Sequence, residues 1–187
     1  VAGKIGILAL QGAFAKHIEM LASIGVSSFE VRYPHELSQC NGLILPGGES
    51  TTMTRQIIEM GFTDPLKTFA KRTPLFGTCA GMILMARKGI LDLLDITVER
   101  NGYGRQCDSF SADLDLTFSK TTCPAFFIRA PRISHVHSEN VKILATHREE
   151  AVCVRQGKHL AAAFHPELTQ DAAVHKYFVD MCHFTCP

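Results

Sequence analysis

The sequence predicts an α/β protein: a single doubly wound, flavodoxin-like domain over residues 1–187, with a mostly parallel central sheet and an antiparallel extension in the second half. Three observations lead there. Short, almost unbroken apolar runs such as Ile5-Gly6-Ile7-Leu8-Ala9-Leu10 and Gly42-Leu43-Ile44-Leu45 have the character of strands buried on both faces. Up to Arg87 such runs alternate with segments of helical periodicity, the pattern of a parallel sheet covered by helices. Beyond Ile96, strand-like segments follow one another directly, which favours antiparallel pairing.

Taken in order, the first strand covers Ile5 to Leu10 and is broken by Gln11-Gly12. Ala13 to Ile24 places Phe14, Ile18, Leu21 and Ala22 at helical spacing, and Gly25 stops it. Phe29 to Tyr33 and Gly42 to Leu45 are the next two strands. Ser50 is the expected cap of a helix to about Met60, and a further helix runs from Thr63 or Asp64 towards Lys71. Leu75-Phe76 is a short strand, with a helix from Ala80 to Arg87 behind it. The later strands are Ile96 to Glu99, Phe110 to Leu116, Ala125 to Ile128, Val141 to Thr146, Ala151 to Gln156 and Leu160 to Phe164. Gln156-Gly157-Lys158 turns the last pair into a hairpin. Asp171 to Phe184 closes the chain as a helix, with Ala172, Val174, Tyr177, Phe178 and Met181 on its apolar side.

Composition excludes several classes. With 187 residues and 46% hydrophobic content the chain can bury a substantial core. Lys+Arg 19 against Asp+Glu 18, with no basic tract, gives no footprint for nucleic acid. The apolar runs are strand-length, too short to span a bilayer, and no signal-peptide pattern is present. The seven cysteines are odd in number and irregularly spaced, so a reducing, cytoplasmic setting is expected rather than a disulfide framework.

The chemistry is concentrated in Phe76-Gly77-Thr78-Cys79-Ala80-Gly81. An apolar strand that stops at Gly-x-Cys-x-Gly and turns into a helix holds its thiol on a sharp, strained elbow. The helix N-terminus behind it offers N–H donors and favours a thiolate. Much later, Phe164-His165-Pro166-Glu167 supplies an imidazole and a carboxylate on restrained, extended backbone, so that Glu167 can fix the imidazole while His165 exchanges protons with Cys79. Cys79, His165 and Glu167 are the minimal kit for acyl transfer through a thioester. Pro46-Gly47-Gly48-Glu49-Ser50 follows the third strand, where the Gly48 N–H, with that of Ala80, suits an oxyanion hole. Without a Walker lysine or G-x-G-x-x-G, phosphate and dinucleotide binding are not expected. Cys40, Cys107, Cys123, Cys153, Cys182 and Cys186 lack any elbow context. His135-x-His137 and Cys182-His183-x-x-Cys186 are each too incomplete for a metal centre, and neither metal nor cofactor is expected.

Gly77-Thr78-Cys79-Ala80-Gly81 together with His165-Pro166-Glu167 resembles the class I, or triad, glutamine amidotransferases. Further segments narrow the resemblance: Leu10-Gln11-Gly12, Leu45 through Thr52, Arg100-Asn101 with Gly104-Arg105-Gln106, Asp108-Ser109-Phe110, Phe127-Ile128-Arg129-Ala130-Pro131 and Phe164 through Leu168. Together they resemble the family of glutaminase subunits of pyridoxal 5′-phosphate synthase, from about Lys4 to the final helix. The resemblance implies hydrolysis of L-glutamine to L-glutamate and ammonia through a γ-glutamyl thioester on Cys79. It implies a glutamine pocket lined by Gly48, Glu49, Ser50, Arg105, Ile128 and Arg129, an arginine suiting the α-carboxylate and Glu49 the α-ammonium. It also implies a (β/α)₈-barrel synthase subunit as partner, receiving ammonia for vitamin B6 biosynthesis, with Gln11 and Gly47 coupling docking to assembly of the oxyanion hole. The segment Arg87–Leu94 departs from the family by being short, and Asp92 stands where glycine is expected. Two alternatives remain open on sequence: a triad glutaminase serving another synthase, and a non-hydrolytic redox or chaperone-like protein built on a similar cysteine elbow.

Overall fold

The computed structural model describes residues 4–103 and 109–183. In chain order the first half runs β1 (Ile5–Leu8), α1 (Phe14–Ser23), β2 (Ser28–Val31), β3 (Gly42–Leu45), α2 (Ser50–Glu59), α3 (Thr63–Ala70), β4 (Leu75–Thr78) and α4 (Ala80–Met85). The second half is β5 (Ile96–Glu99), β6 (Ser109–Leu114), β7 (Cys123–Ile128), β8 (Arg132–Val136), β9 (Val141–His147), β10 (Glu150–Gln156), β11 (His159–Ala162) and α5 (Ala173–His183).

The main sheet has the order β2-β1-β3-β4-β11-β10-β9. The five strands from β2 to β11 are mutually parallel, and β10 and β9 add on antiparallel. The mostly parallel α/β sheet with antiparallel strands at one end is therefore as expected. Its central strands are apolar on both faces because both are covered: every residue of β1, β3 and β4 is buried. On one face α1 and α5 pack around Phe76 of β4, whose ring lies 5.5 Å from that of Phe178.

The remaining strands are distributed differently from the single extension the sequence implies. β5 pairs with β8, and β6 with β7, in two separate antiparallel ladders. β8 was not among the expected strands. Its sequence, Arg132-Ile133-Ser134-His135-Val136, buries Ile133 alone and lacks the apolar run that marks the central strands. The Gly157 hairpin between β10 and β11 is present, with φ at +57°.

Two other boundaries shift for identifiable reasons. α2 is capped by Glu49, not Ser50: the Glu49 carboxylate accepts the N–H groups of Thr51 and Thr52. α4 ends at Met85 rather than Arg87, because the Met85 carbonyl accepts the N–H groups of Leu93 and Leu94 as the chain folds back. In that short return Asp92 has φ of +50°, a left-handed conformation that explains why glycine was expected there.

Candidate active site

Three adjacent parallel strands bring the site together. β3 ends in the Gly47-Gly48 loop, β4 in Cys79, and β11 in the segment leading to His165, all beyond the carboxyl ends of the strands. They open on a cavity of about 350 Å³ lined by Gly47, Gly48, Glu49, Ser50, Cys79, Ala80, Ile128, Arg129 and His165, together with residues of the neighbouring loops.

Cys79 sits at φ 49° and ψ −107°, a backbone conformation non-glycine residues avoid. It is held there by its own N–H, which donates to the Ala162 carbonyl of β11 at 2.8 Å, and by α4 starting at the next residue. The glycines on either side serve the packing behind it. A Cβ on Gly81 would lie 2.0 Å from the Leu45 carbonyl oxygen, and one on Gly77 2.6 Å from the Gly81 backbone. Only bare backbone lets α4 settle against β3 and β4 tightly enough to hold the elbow.

His165 and Cys79 lie side by side against Gly47, with the Cys79 Sγ 4.0 Å from the Ile128 carbonyl oxygen. His165 Nδ1 lies 2.6 Å from Glu167 Oε1. Burial pulls the imidazole towards neutrality. The neighbouring Cys79 and the charged, hydrogen-bonded Glu167 outweigh it and lift the pKa to about 10. The backbone of His165 is fixed by its N–H, which donates to the Phe126 carbonyl of β7 at 2.8 Å. Cys79 and, much later in the sequence, the near neighbours His165 and Glu167 thus form one chain of adjoining side chains, and all three are almost wholly buried.

The Gly47-Gly48 loop lies directly against this chain. A Cβ on Gly47 would come 2.4 Å from His165 Cε1, so only glycine fits under the ring. The Gly47 carbonyl accepts the Ala13 N–H at 3.1 Å, which directs the Gly48 N–H the opposite way across the trans peptide. Gln11 Nε2 donates to the Glu49 carbonyl at 2.8 Å, tying the end of β1 to the same loop.

The expected pocket residues are distributed as follows. Ser50 is buried at the cavity wall, and Ile128 and Arg129 also line the cavity. Arg129 has φ of +43° and makes no ion pair among the described residues. Glu49 lines the cavity, yet its carboxylate already accepts Thr52 Oγ1 and the Thr52 and Thr51 N–H groups, which hold its pKa down to about 2. Arg105 lies outside the described residues.

Sequence reasoning missed several neighbours. Arg100 and Asn101 also line the cavity, with Arg100 Nη1 donating to Thr51 Oγ1 at 2.7 Å. Behind Glu167 lie two fully enclosed histidines, His17 of α1 and His175 of α5. Each interrupts an otherwise apolar helical stripe, and that interruption was the available signal. The His135 and His137 rings are 4.4 Å apart, but His137 is engaged with Thr97 Oγ1 at 2.7 Å. Among the described residues no cluster of three or more metal-ligating side chains occurs. No helix among them is long and apolar enough to cross a membrane.

Comparison with known proteins follows the same lines. The chain matches the SNO glutamine amidotransferase family over residues 7–184. It is 47% identical to the "Pyridoxal 5'-phosphate synthase subunit PdxT" of Brevibacillus brevis, covering 95% of this chain and 96% of that protein. It is 50% identical to the protein of the same name from Oenococcus oeni, covering 94% and 95% respectively. A solved structure described as a glutamine amidotransferase superposes with a TM-score of 0.91 at 40% identity, over 96% of this chain and 98% of that one.

Proposed function

Because the chain belongs to the SNO glutamine amidotransferase family, we propose that it is the glutaminase subunit of a pyridoxal 5′-phosphate synthase, hydrolysing L-glutamine on Cys79 and passing the ammonia to its partner. The observation that carries this reading is the contact chain Cys79–His165–Glu167 opening on the cavity beneath the Gly47-Gly48 loop.

In this account the Cys79 sulfur attacks the side-chain amide of glutamine, and His165 protonates the departing ammonia. A water activated by the same imidazole then cleaves the γ-glutamyl thioester. Glu167 holds the imidazole tautomer through Nδ1. The N–H groups of Gly48 and Ala80 receive the oxyanion. Arg129, unpaired in the described structure, meets the α-carboxylate, with Arg105 as the second candidate cation. Glu49 and Ser50 line the ammonium end. Since Glu49 also caps α2, its carboxylate is held in one orientation before substrate arrives.

The partner is proposed to be a (β/α)₈-barrel subunit, and the working compartment the cytoplasm. Residues 1–187 act as one glutaminase domain. Gln11 bonds the Glu49 carbonyl and lies against Gly48, so a protein docking over the end of β1 would move the oxyanion loop with it. A non-hydrolytic redox role leaves the His165–Glu167 pair without a task.

Ammonia release from glutamine, measured with and without the synthase subunit, tests this. Low turnover alone and a rise of tenfold or more on adding the partner is the expected outcome, a factor of ten corresponding to about 1.4 kcal/mol of barrier. Equal turnover in both conditions would refute the coupling, and no ammonia in either would refute the function.

A further inference from the structure

Glu167 uses one carboxylate oxygen for His165, and its other oxygen, Oε2, is buried with no hydrogen-bond partner inside normal distance. A bare carboxylate oxygen in a protein core is costly. The group facing it is His17, whose Nε2 lies 3.6 Å from Oε2 and 3.3 Å from the Thr78 hydroxyl. His17 Nδ1 in turn lies 2.9 Å from His175 Nε2, and His175 Nδ1 is buried without a partner.

These contacts fix the direction of the protons. If His17 carried its proton on Nδ1, its Nε2 lone pair would face the Glu167 carboxylate. His175 would then need its proton on Nδ1, leaving an orphaned buried N–H. With the proton on His17 Nε2, the donor points at Glu167 Oε2 and Thr78, and His17 Nδ1 accepts from His175 Nε2–H. The atom left without a partner is then a bare nitrogen, a cheaper vacancy than an orphaned donor. Both rings are held edge-on against Phe76, with centroids 6.4 and 5.9 Å away, which leaves little freedom to flip.

We propose that His17 is a positioning residue of the active site, its Nε2–H directed at the second oxygen of Glu167 from 3.6 Å, with His175 behind it fixing that tautomer. The proposal rests on the glutaminase reading for its effect on turnover, although its geometry does not. Burial, reinforced by the neighbouring His175 and His165, keeps His17 neutral, and burial does the same for His175. The donor therefore anchors the carboxylate without cancelling the negative charge that His165 requires.

The first test uses the unmodified full chain, reading histidine tautomers by ¹⁵N nuclear magnetic resonance. Neutral rings at His17 and His175, both protonated on Nε2 from pH 6 to 8, are expected. A proton on His17 Nδ1, or an imidazolium there, overturns the proposal whatever the enzyme does. The second test compares His17→Phe with His17→Gln in the complex with the synthase subunit. The Phe variant should lose about tenfold in kcat with KM for glutamine within twofold, the scale of one hydrogen bond to a charged group. The limb of its pH profile governed by His165 should move to higher pH, because a less stabilised carboxylate holds the His165 proton more tightly. The Gln variant, which restores an N–H donor at the Nε2 position, should recover most of the rate. Wild-type kcat in the Phe variant, or equal losses in a folded Phe and a folded Gln variant, would overturn the proposal. If the wild-type protein releases no ammonia, the glutaminase reading fails while the tautomer measurement still decides this one. If the Phe variant does not fold, the tautomer measurement decides alone.

Discussion

On the pocket side of Glu167 a buried histidine is driven towards its charged form, while on the core side two buried histidines are driven away from it. His165, between Glu167 and Cys79, has its pKa raised to about 10. His175, enclosed beside Phe76, is pushed down to about 3 by burial, and His17 is lowered by burial and by the histidines around it. Burial disfavours the imidazolium in all three. The sign reverses only where a hydrogen-bonded carboxylate and thiol both touch the ring. Burial alone therefore does not make a histidine catalytic; what it touches does, and the two sides of one carboxylate separate the cases within a few ångströms.

Removing the acceptor on the pocket side should break this contrast most severely. Glu167→Gln keeps the shape but offers His165 an amide that can donate, favouring the wrong tautomer. A fall in kcat of about 10²–10⁴ is expected, with folding retained. A variant within tenfold of wild type would mean that Glu167 does not orient the ring.

The core side is sharpened by acid. His17 and His175, and also His159 at the edge of β11 with a pKa of about 4, are neutral when folded. Their folded values lie below the unfolded one, so the unfolded chain takes up protons first. The stability they contribute is complete above the ordinary histidine pKa and is lost as pH falls through the folded values. Between about pH 7 and about pH 5 the loss is about 2 kcal/mol per histidine at most. Thermal unfolding should therefore drop by about 10 °C over that interval. His165 has the opposite sign: its contribution is complete below the ordinary value and fades as pH rises towards 10. A midpoint constant from pH 7 to 5 would contradict buried neutral histidines.

The smallest effect lies away from both regions. Asp92→Gly relieves a left-handed aspartate at an exposed turn. It should raise stability by about 0.5 kcal/mol, or about 1–2 °C in Tm, with turnover unchanged. A loss of stability would show that the Asp92 side chain contributes more than its conformation costs.

The parallel half was legible because strands buried on both faces leave continuous apolar runs, and the Gly-x-Cys-x-Gly elbow punctuates one of them. Cys79, His165 and Glu167 could be named from sequence because Cys79 directly follows a strand inside a distinctive glycine motif, while His165 and Glu167 flank Pro166 just beyond the last strand. Pairing was not legible: β5 to β8 read as strands or, for β8, as nothing, since alternation marks a strand without naming its partner. Ser50 looked like the cap because hydroxyls usually cap helices, whereas Glu49 one residue earlier reaches the same donors. His17 and His175 were passed over because a single polar residue on an apolar stripe is weak until the helices meet, and α1 and α5 meet only in three dimensions.

The central claim is that Cys79 is the nucleophile, made so by His165. The most direct measurement is mass spectrometry of the protein after reaction with an electrophilic glutamine analogue, with peptide mapping. The account predicts one adduct per chain, on Cys79, protected by excess L-glutamine and strongly slowed in His165→Asn. An adduct spread over the other cysteines, or one on Cys79 that glutamine does not compete with, would contradict it.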